Sequence, residues 1–283
     1  MKVGLVIHSG REDSIETAVE AATRLDSLGV DVIAARQDSE PVRFPVDVVE
    51  PEDFPHGLDL AISFGGDGTF LRAAYLCRDA GIPVLGVNLG RLGFLAEVDR
   101  DDLATSLSAV VEGNYVVEDR STLRLRALSN DTDDAVEDWA LNEVSIEKTA
   151  RQRLILLDVH VGDALFAKVA ADGLILATPT GSTAYSFSAG GPILSPEVRA
   201  TLVTPVAPHS VFGRTLVVGE GERVHVKVLP DQQPAVVSCD GRPPITVPPG
   251  GSLYVDGGGP AVRLARIRSD DFYTLVRTKF GLR

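Results

Sequence analysis

The sequence predicts an α/β N-terminal domain with a parallel, Rossmann-like sheet, an all-β sandwich after it, and a C-terminal helix that packs back on the first domain. Three observations predict this. Short apolar runs alternate with helical patterns up to about residue 119, the apolar period then switches to two, and Gly/Pro clusters separate the later runs. Residues 2–7 read as a buried strand. The helical pattern that follows sets Ile15, Ala18, Val19, Ala22 and Leu25 on one face, and Gly29 ends it. A second strand covers 30–34, and a third apolar run over 58–64 enters the cluster Gly65, Gly66, Asp67, Gly68. A helix over about 69–79, Gly81 and a strand over 83–87 complete the pattern, and strands alternating with helices imply parallel pairing through crossovers.

Past residue 120 the alternating pairs and runs are Leu123 and Leu125; Ile155, Leu157, Val159 and Val161; Val224, Val226 and Val228; Val262 and Leu264. Turn residues at 248–251 and 257–260 divide them. The acidic stretch 131–138 reads as a solvated hairpin loop, and 270–280 as a helix. The expected domains are therefore 1–119 together with 268–283, and 120–267.

Composition bounds the partners. The chain has 283 residues, 27 Lys plus Arg against 40 Asp plus Glu, and a formal charge of −13. Such a balance argues against the broad basic surface of a nucleic-acid binder, so an anionic ligand needs a local device. The lysines are Lys2, Lys148, Lys168, Lys227 and Lys279, and arginine supplies the remaining positive charge. Cys77 and Cys239 are too few for a disulfide framework or a thiolate metal cluster. No apolar run approaches the ~18 residues a membrane span needs, so a soluble, cytoplasmic protein without a membrane partner is expected.

Three elements carry chemistry. In the first, Gly65, Gly66, Asp67, Gly68 and Thr69 stand where a strand meets a helix. Glycines there admit a ligand close to the backbone, and helix-start amides attract anions. An aspartate repels phosphate, so Asp67 points to work as a base or as a ligand of a phosphate-bound cation; the bland alternative is a turn in which Asp67 caps the helix. The loop is neither a P-loop nor the G-x-G-x-x-G of dinucleotide dehydrogenases. The second element, TPTGSTAYSFSAGGP at 178–192 with Asp172 upstream, offers hydroxyl donors and acceptors and the aromatic face of Tyr185 for a ribose or a base. The third is Asn142-Glu143, a donor–acceptor pair suited to a diol or an amide. His8, His56, His160, His209 and His225 show no metal-binding spacing.

With these elements in place, the chain resembles the NAD kinases, which phosphorylate the adenosine 2′-hydroxyl of NAD. The resemblance rests on GGDGT at 65–69, Asn142-Glu143 and the 178–192 motif, joined by the 86–90 segment with Leu92, Gly93 and Phe94, by 205–209, by 238–241 and by the tail 273–280. It implies transfer of the terminal phosphoryl group of ATP to NAD, with Mg²⁺ bound to ATP and inorganic polyphosphate as a donor some relatives accept. It implies Asp67 as catalytic base and Gly65, Gly66, Gly68 and Thr69 as the phosphate loop. Phe94 falls at a position near adenine, Asn142 and Glu143 at the nicotinamide side, and Asp172, Thr183, Ala184, Tyr185 and Ser188 at positions lining the dinucleotide. Ala207 matches a position reaching a neighbouring subunit's site in a homodimer or homotetramer, the site of such enzymes lying between the domains. The chain departs from the pattern at Arg242, where relatives often carry glutamine, and at Ala170, where many carry a basic residue. Arg72 and Arg153 are the candidates to supply charge near phosphates instead. A GGDG-loop kinase of a lipid or sugar and a non-catalytic dinucleotide sensor are the rival readings.

Overall fold

The computed structural model describes every residue except 9, 37–44, 91–92, 129–134, 210–212, 268–270 and 283. Ser9, Leu92, Asp270 and the first half of the expected acidic loop lie outside the described residues. The chain divides into two compact units, Met1–Asp119 with Ala261–Arg283, and Arg120–Pro260.

In the first unit β1 (Lys2–Ile7), α1 (Glu12–Ser27), β2 (Asp31–Ala35), β3 (Asp47–Val49), β4 (Leu60–Gly65), α2 (Asp67–Cys77) and β5 (Val84–Asn88) follow one another, then β6 (Val98–Asp99), α3 (Leu103–Val111) and β7 (Val116–Arg120). The strands order as β3-β2-β1-β4-β5 with parallel pairing throughout, and β6 pairs with β5. Parallel sheets are covered on both faces, which is why β1 and β4 are buried almost end to end rather than at alternate residues. Helix α1 buries Ala18, Ala22 and Leu25 of the stripe read from the sequence, with Ala21 beside them, while Ile15 and Val19 are only half-buried. Each fully buried Leu or Ile of this core is worth roughly 1.5–3 kcal/mol over exposure.

Helix α2 begins at Asp67, two residues earlier than expected, so Asp67 lies inside its first turn and Gly66 is the N-cap.

The second unit is a sandwich of two six-stranded antiparallel sheets. Its strands are β8 (Leu123–Leu128), β9 (Ala135–Ala140), β10 (Glu143–Lys148), β11 (Ile155–Val161), β12 (Ala164–Ala171) and β13 (Gly173–Ala177), then β14 (Ala200–Val206), β15 (Leu216–Gly219), β16 (Val224–Val228), β17 (Ala235–Cys239), β18 (Ile245–Val247) and β19 (Ser252–Gly257), with the short helix α4 (Tyr185–Ser188) between β13 and β14. One sheet runs β15-β14-β13-β10-β17-β18, the other β12-β11-β16-β19-β8-β9. Residues 135–138 of the expected acidic loop belong to β9, where they pair with β8. Alternate residues such as Leu123, Leu125, Val144, Ile146, Ile155, Leu157, Val224, Val226, Leu253 and Val255 interdigitate in the core. Strand β13 departs from alternation and is buried throughout, because Ile175 and Ala177 pack with Leu202, Ala189 and Leu194 on its other face.

One strand changes sides. Residues Val262–Arg266, expected in the sandwich from their alternation, form β20, which joins the first unit's sheet between β5 and β7 and runs parallel to β5 at Leu264 and Val84. Alternation reports a strand with two unlike faces and carries no information on which sheet receives it. Arg266 fixes the strand in place: its guanidinium donates to Glu97 at 2.9 Å and Glu118 at 3.0 Å. The chain ends in α5 (Phe272–Phe280), capped by the Asp271 carboxylate, which accepts from the Thr274 amide at 2.7 Å. Its Phe280 ring lies 6.2 Å from the ring of Phe94 in the same unit. No helix among the described residues is long and apolar enough to cross a membrane.

Candidate functional site

In the first unit the glycine loop leaves β4 and becomes the start of α2. Gly65 has φ +155°, and a Cβ there would collide with Thr69 Oγ1. Gly66 and Gly68 differ: a Cβ at either would meet no protein atom within 4 Å. Both glycines border a cavity of about 450 Å³ whose lining also includes His8, Arg11, Thr69 and Arg72. The protein's own packing therefore does not require glycine at these two positions. The first amides of α2 lack intrahelical acceptors and carry the positive end of the helix dipole toward this space.

Two arginines add charge. Arg72, a sequence candidate, donates to the Ile7 carbonyl at 2.7 Å. Arg11 was not anticipated; it donates to Asp13 at 2.7 Å and to the Leu89 carbonyl, tying the start of α1 to the turn after β5. In sequence it precedes Glu12 and Asp13 and reads as half of an exposed ion pair.

Asp67 turns away from the capping role. No side chain caps α2, and the two Asp67 oxygens accept from the backbone amides of Phe94 at 3.0 Å and Leu95 at 3.1 Å. The approach is so close that a Cβ on Gly93 would overlap the Asp67 carboxylate. Two sequence candidates, Asp67 and Phe94, are thus joined by a hydrogen bond.

The second unit brings together Asn142, Glu143, Tyr185 and the 178–183 turn. Thr178 donates its amide to the Asn142 carbonyl at 2.9 Å and its hydroxyl to the Leu141 carbonyl at 2.6 Å. Gly181 crosses the Asn142 backbone where any Cβ would overlap the carbonyl, and its amide donates to Thr178 Oγ1 at 3.0 Å. Thr183 closes its own turn onto the Thr180 carbonyl at 3.3 Å, Ala184 donates to Gly181 at 2.9 Å, and Ser188 and Tyr185 are exposed.

Beneath this turn lies Asp240, which sequence reasoning counted only as part of a motif. Its side chain is 2% exposed and accepts from three consecutive amides, those of Leu141 at 2.7 Å, Asn142 at 2.8 Å and Glu143 at 3.0 Å. Arg242, the departure from the family pattern, is its counter-ion at 3.8 Å. The same guanidinium donates to Asp138 at 2.6 Å and to the Trp139 carbonyl, and lies 5.1 Å over the Trp139 ring.

Glu143 is the group this arrangement leaves incomplete. Its Oε2 is buried without a hydrogen-bond partner, although the Tyr185 amide donates to the carboxylate. Burial first, and then the Asp240 charge, push its pKa up from 4.5 to about 7. Because the folded value lies above the unfolded one, the stability linked to Glu143 is full below pH 4.5 and is lost as pH rises through about 7. Glu143→Gln is therefore expected to gain on the wild type between pH 4.5 and pH 8, by up to roughly 3 kcal/mol. Urea unfolding of both proteins at the two pH values measures it, and an equal difference at both would remove the raised carboxyl.

The remaining candidates spread through the second unit. Asp172 is ion-paired to Lys148. Ala207 sits at φ 45°, a left-handed conformation uncommon for a residue with a Cβ. Arg153 lies in an exposed turn before β11 and is not among the residues lining the phosphate-loop cavity.

Comparisons with known proteins agree across both units. The ATP-NAD kinase N-terminal domain family matches residues 3–115 and the ATP-NAD kinase C-terminal domain family matches 141–267. The chain is 40% identical over 288 residues to an NAD kinase of Thermobifida fusca, covering 98% of this chain and 88% of that protein. It is 41% identical over 286 residues to NAD kinase 2 of Streptomyces coelicolor, covering 99% and 94%. Among solved structures, yeast NADH kinase complexed with NADH superposes with a TM-score of 0.90 at 26% identity, covering all of this chain and 88% of the other. An NAD kinase from Archaeoglobus fulgidus in complex with ATP shares the fold, with a TM-score of 0.76 at 24% identity over 99% of this chain and 98% of the other.

Proposed function

Because the chain belongs to the NAD kinase family, we propose that Asp67 aligns the attacking hydroxyl of NAD and that the cavity at the start of α2 receives the donor phosphates. The reaction is transfer of the terminal phosphoryl group of ATP to the 2′-hydroxyl of the adenosine ribose of NAD, giving NADP and ADP. A lipid or sugar kinase and a non-catalytic sensor have no support from the family match. In the proposed step the hydroxyl proton passes to the Asp67 carboxylate, the oxygen bonds to the terminal phosphorus, and the bond to the bridging oxygen of ADP breaks. The amides of Phe94 and Leu95 hold the carboxylate in one orientation for that transfer.

The observation that carries the donor assignment is the open space over Gly66 and Gly68, bordered by Arg11, Arg72 and His8. Magnesium enters as the ATP complex, offsetting phosphate charge in a chain of net charge −13. Inorganic polyphosphate presents the same phosphate chemistry to this cavity. On the acceptor side, the unpartnered Glu143 Oε2 takes a hydroxyl or amide donor of the dinucleotide beside Asn142. Asp172, Thr183, Ala184, Tyr185 and Ser188 line the dinucleotide, and Phe94 flanks its adenine. Ala207, held at φ 45°, serves a neighbouring subunit in a homodimer or homotetramer.

Gly68→Ala separates a ligand role from a structural one. Gly68 lies within α2, so alanine is expected to raise stability by about 0.5–1 kcal/mol through helix propensity. Its methyl group would intrude on the donor phosphates and raise KM for ATP tenfold or more, with KM for NAD little changed. A stabilised variant with an unchanged KM for ATP would remove the phosphates from this cavity.

A further inference from the structure

The C-terminal helix carries a cation to the base. Lys279, in the last turn of α5, places its Nζ 3.8 Å from the centroid of the Phe94 ring, and the backbone amide of that same Phe94 donates to Asp67 Oδ2 at 3.0 Å. The neighbouring Phe280 ring approaches Phe94 at 6.2 Å. A lysine at the end of a surface helix ordinarily keeps its ammonium in water. Here no residue of α5 is fully buried, yet the lysine folds down onto a ring beside a carboxylate. Burial pulls the Lys279 pKa down while the Asp67 charge pulls it up, so the two charges interact. An ammonium on an aromatic face is attracted by the ring quadrupole, which offsets part of its desolvation.

We propose that Lys279 is a positioning residue for phosphoryl transfer: seated on the Phe94 ring, it orients the Asp67 carboxylate through the Phe94 amide and balances its charge when the donor phosphates arrive. This rests on the reading of Asp67 as the base. The need is electrostatic. A carboxylate and the terminal phosphate repel each other at the distance the reaction requires, and a cation near the carboxylate reduces that repulsion. Phe94 carries both contacts, its ring to the ammonium and its amide to the Asp67 carboxylate.

Lys279→Met keeps the length of the side chain and removes the charge, and Lys279→Arg keeps the charge. In assays of NADP formation, Lys279→Met is expected to lower kcat about tenfold while KM for ATP and NAD moves less than about threefold, and Lys279→Arg recovers most of the loss. In an Asp67→Asn background the Lys279→Met change is expected to cost little further, since the carboxylate charge it serves is gone. Lys279→Gln provides a second neutral side chain should Met disturb the fold. A kcat equal to wild type in both folded neutral variants, an equal loss in Lys279→Arg, or the same tenfold loss on top of Asp67→Asn would each overturn the proposal. Near-normal turnover of Asp67→Asn alone would instead overturn the reading of Asp67, so the two failures are distinguishable.

Discussion

Asp67→Asn is expected to lower turnover by about two orders of magnitude or more while the protein still folds and binds its substrates. The magnitude is that of a general base, typically 10²- to 10⁴-fold. Asparagine keeps the size of the side chain and one acceptor oxygen, so one of the two amides at Phe94 and Leu95 retains its partner. The other faces an NH₂ group, at a cost of about 1 kcal/mol, which lowers the thermal midpoint by a few degrees without unfolding the chain. On the proposed role of Asp67 the proton of the attacking hydroxyl then has no acceptor, and the loss is expected to fall on kcat rather than on KM. Steady-state NADP formation with ATP and NAD, paired with thermal unfolding, measures both. Turnover within tenfold of wild type would falsify the base assignment.

The second large effect is expected at a residue that touches no substrate in this reading. Asp240→Ala strips the acceptor from three consecutive amides that enter β10 and leaves Arg242 paired with Asp138 alone. Buried donors left unsatisfied cost ~1–3 kcal/mol each, so a loss of about 3 kcal/mol or more is expected. The functional consequence is specific to one substrate. Asn142 and Glu143, proposed to hold NAD, hang on those amides, so KM for NAD is expected to rise tenfold or more, whereas the cavity proposed for the donor phosphates is lined by residues of the first unit and KM for ATP is expected to stay unchanged. Asp240→Asn falls between, because Oδ1 serves Asn142 and Glu143 while Oδ2 serves Leu141, and the amide side chain preserves only one oxygen. Denaturant unfolding and separate KM measurements test this pair. Equal rises in both KM values, or an unchanged KM for NAD in a destabilised protein, would contradict it.

The candidate site was legible wherever its chemistry leaves a local mark. Glycines at a strand-to-helix junction, an aspartate among them, and a Ser/Thr/Gly turn after a buried strand each need only a dozen residues to recognise, and each occurs where the fold places a turn. What escaped recognition depends on distant partners. Arg11 looks like half of an exposed ion pair until the Leu89 carbonyl, 78 residues away, is seen to receive it. Arg242 is a departure from the family pattern in sequence and a counter-ion in the structure, because Asp138 and Trp139 come from another strand. Asp240 supports amides 97 to 99 residues earlier in the chain, a distance over which no periodicity survives.

Local pattern also decided the two-part architecture, since runs buried on both faces and alternating runs belong to different kinds of sheet. Apolar composition and turn residues are properties of a few neighbours, and they specify element type and the glycine loop without reference to the rest of the chain. The destination of Val262–Arg266 is a different kind of fact. Its alternation suits either sheet, and only pairing with Val84 and the grip of Glu97 and Glu118 on Arg266 put it in the first. The orientation of Asp67 and the seat of Lys279 are decided the same way, by contacts between segments remote in sequence whose geometry exists only once the backbone has closed around them.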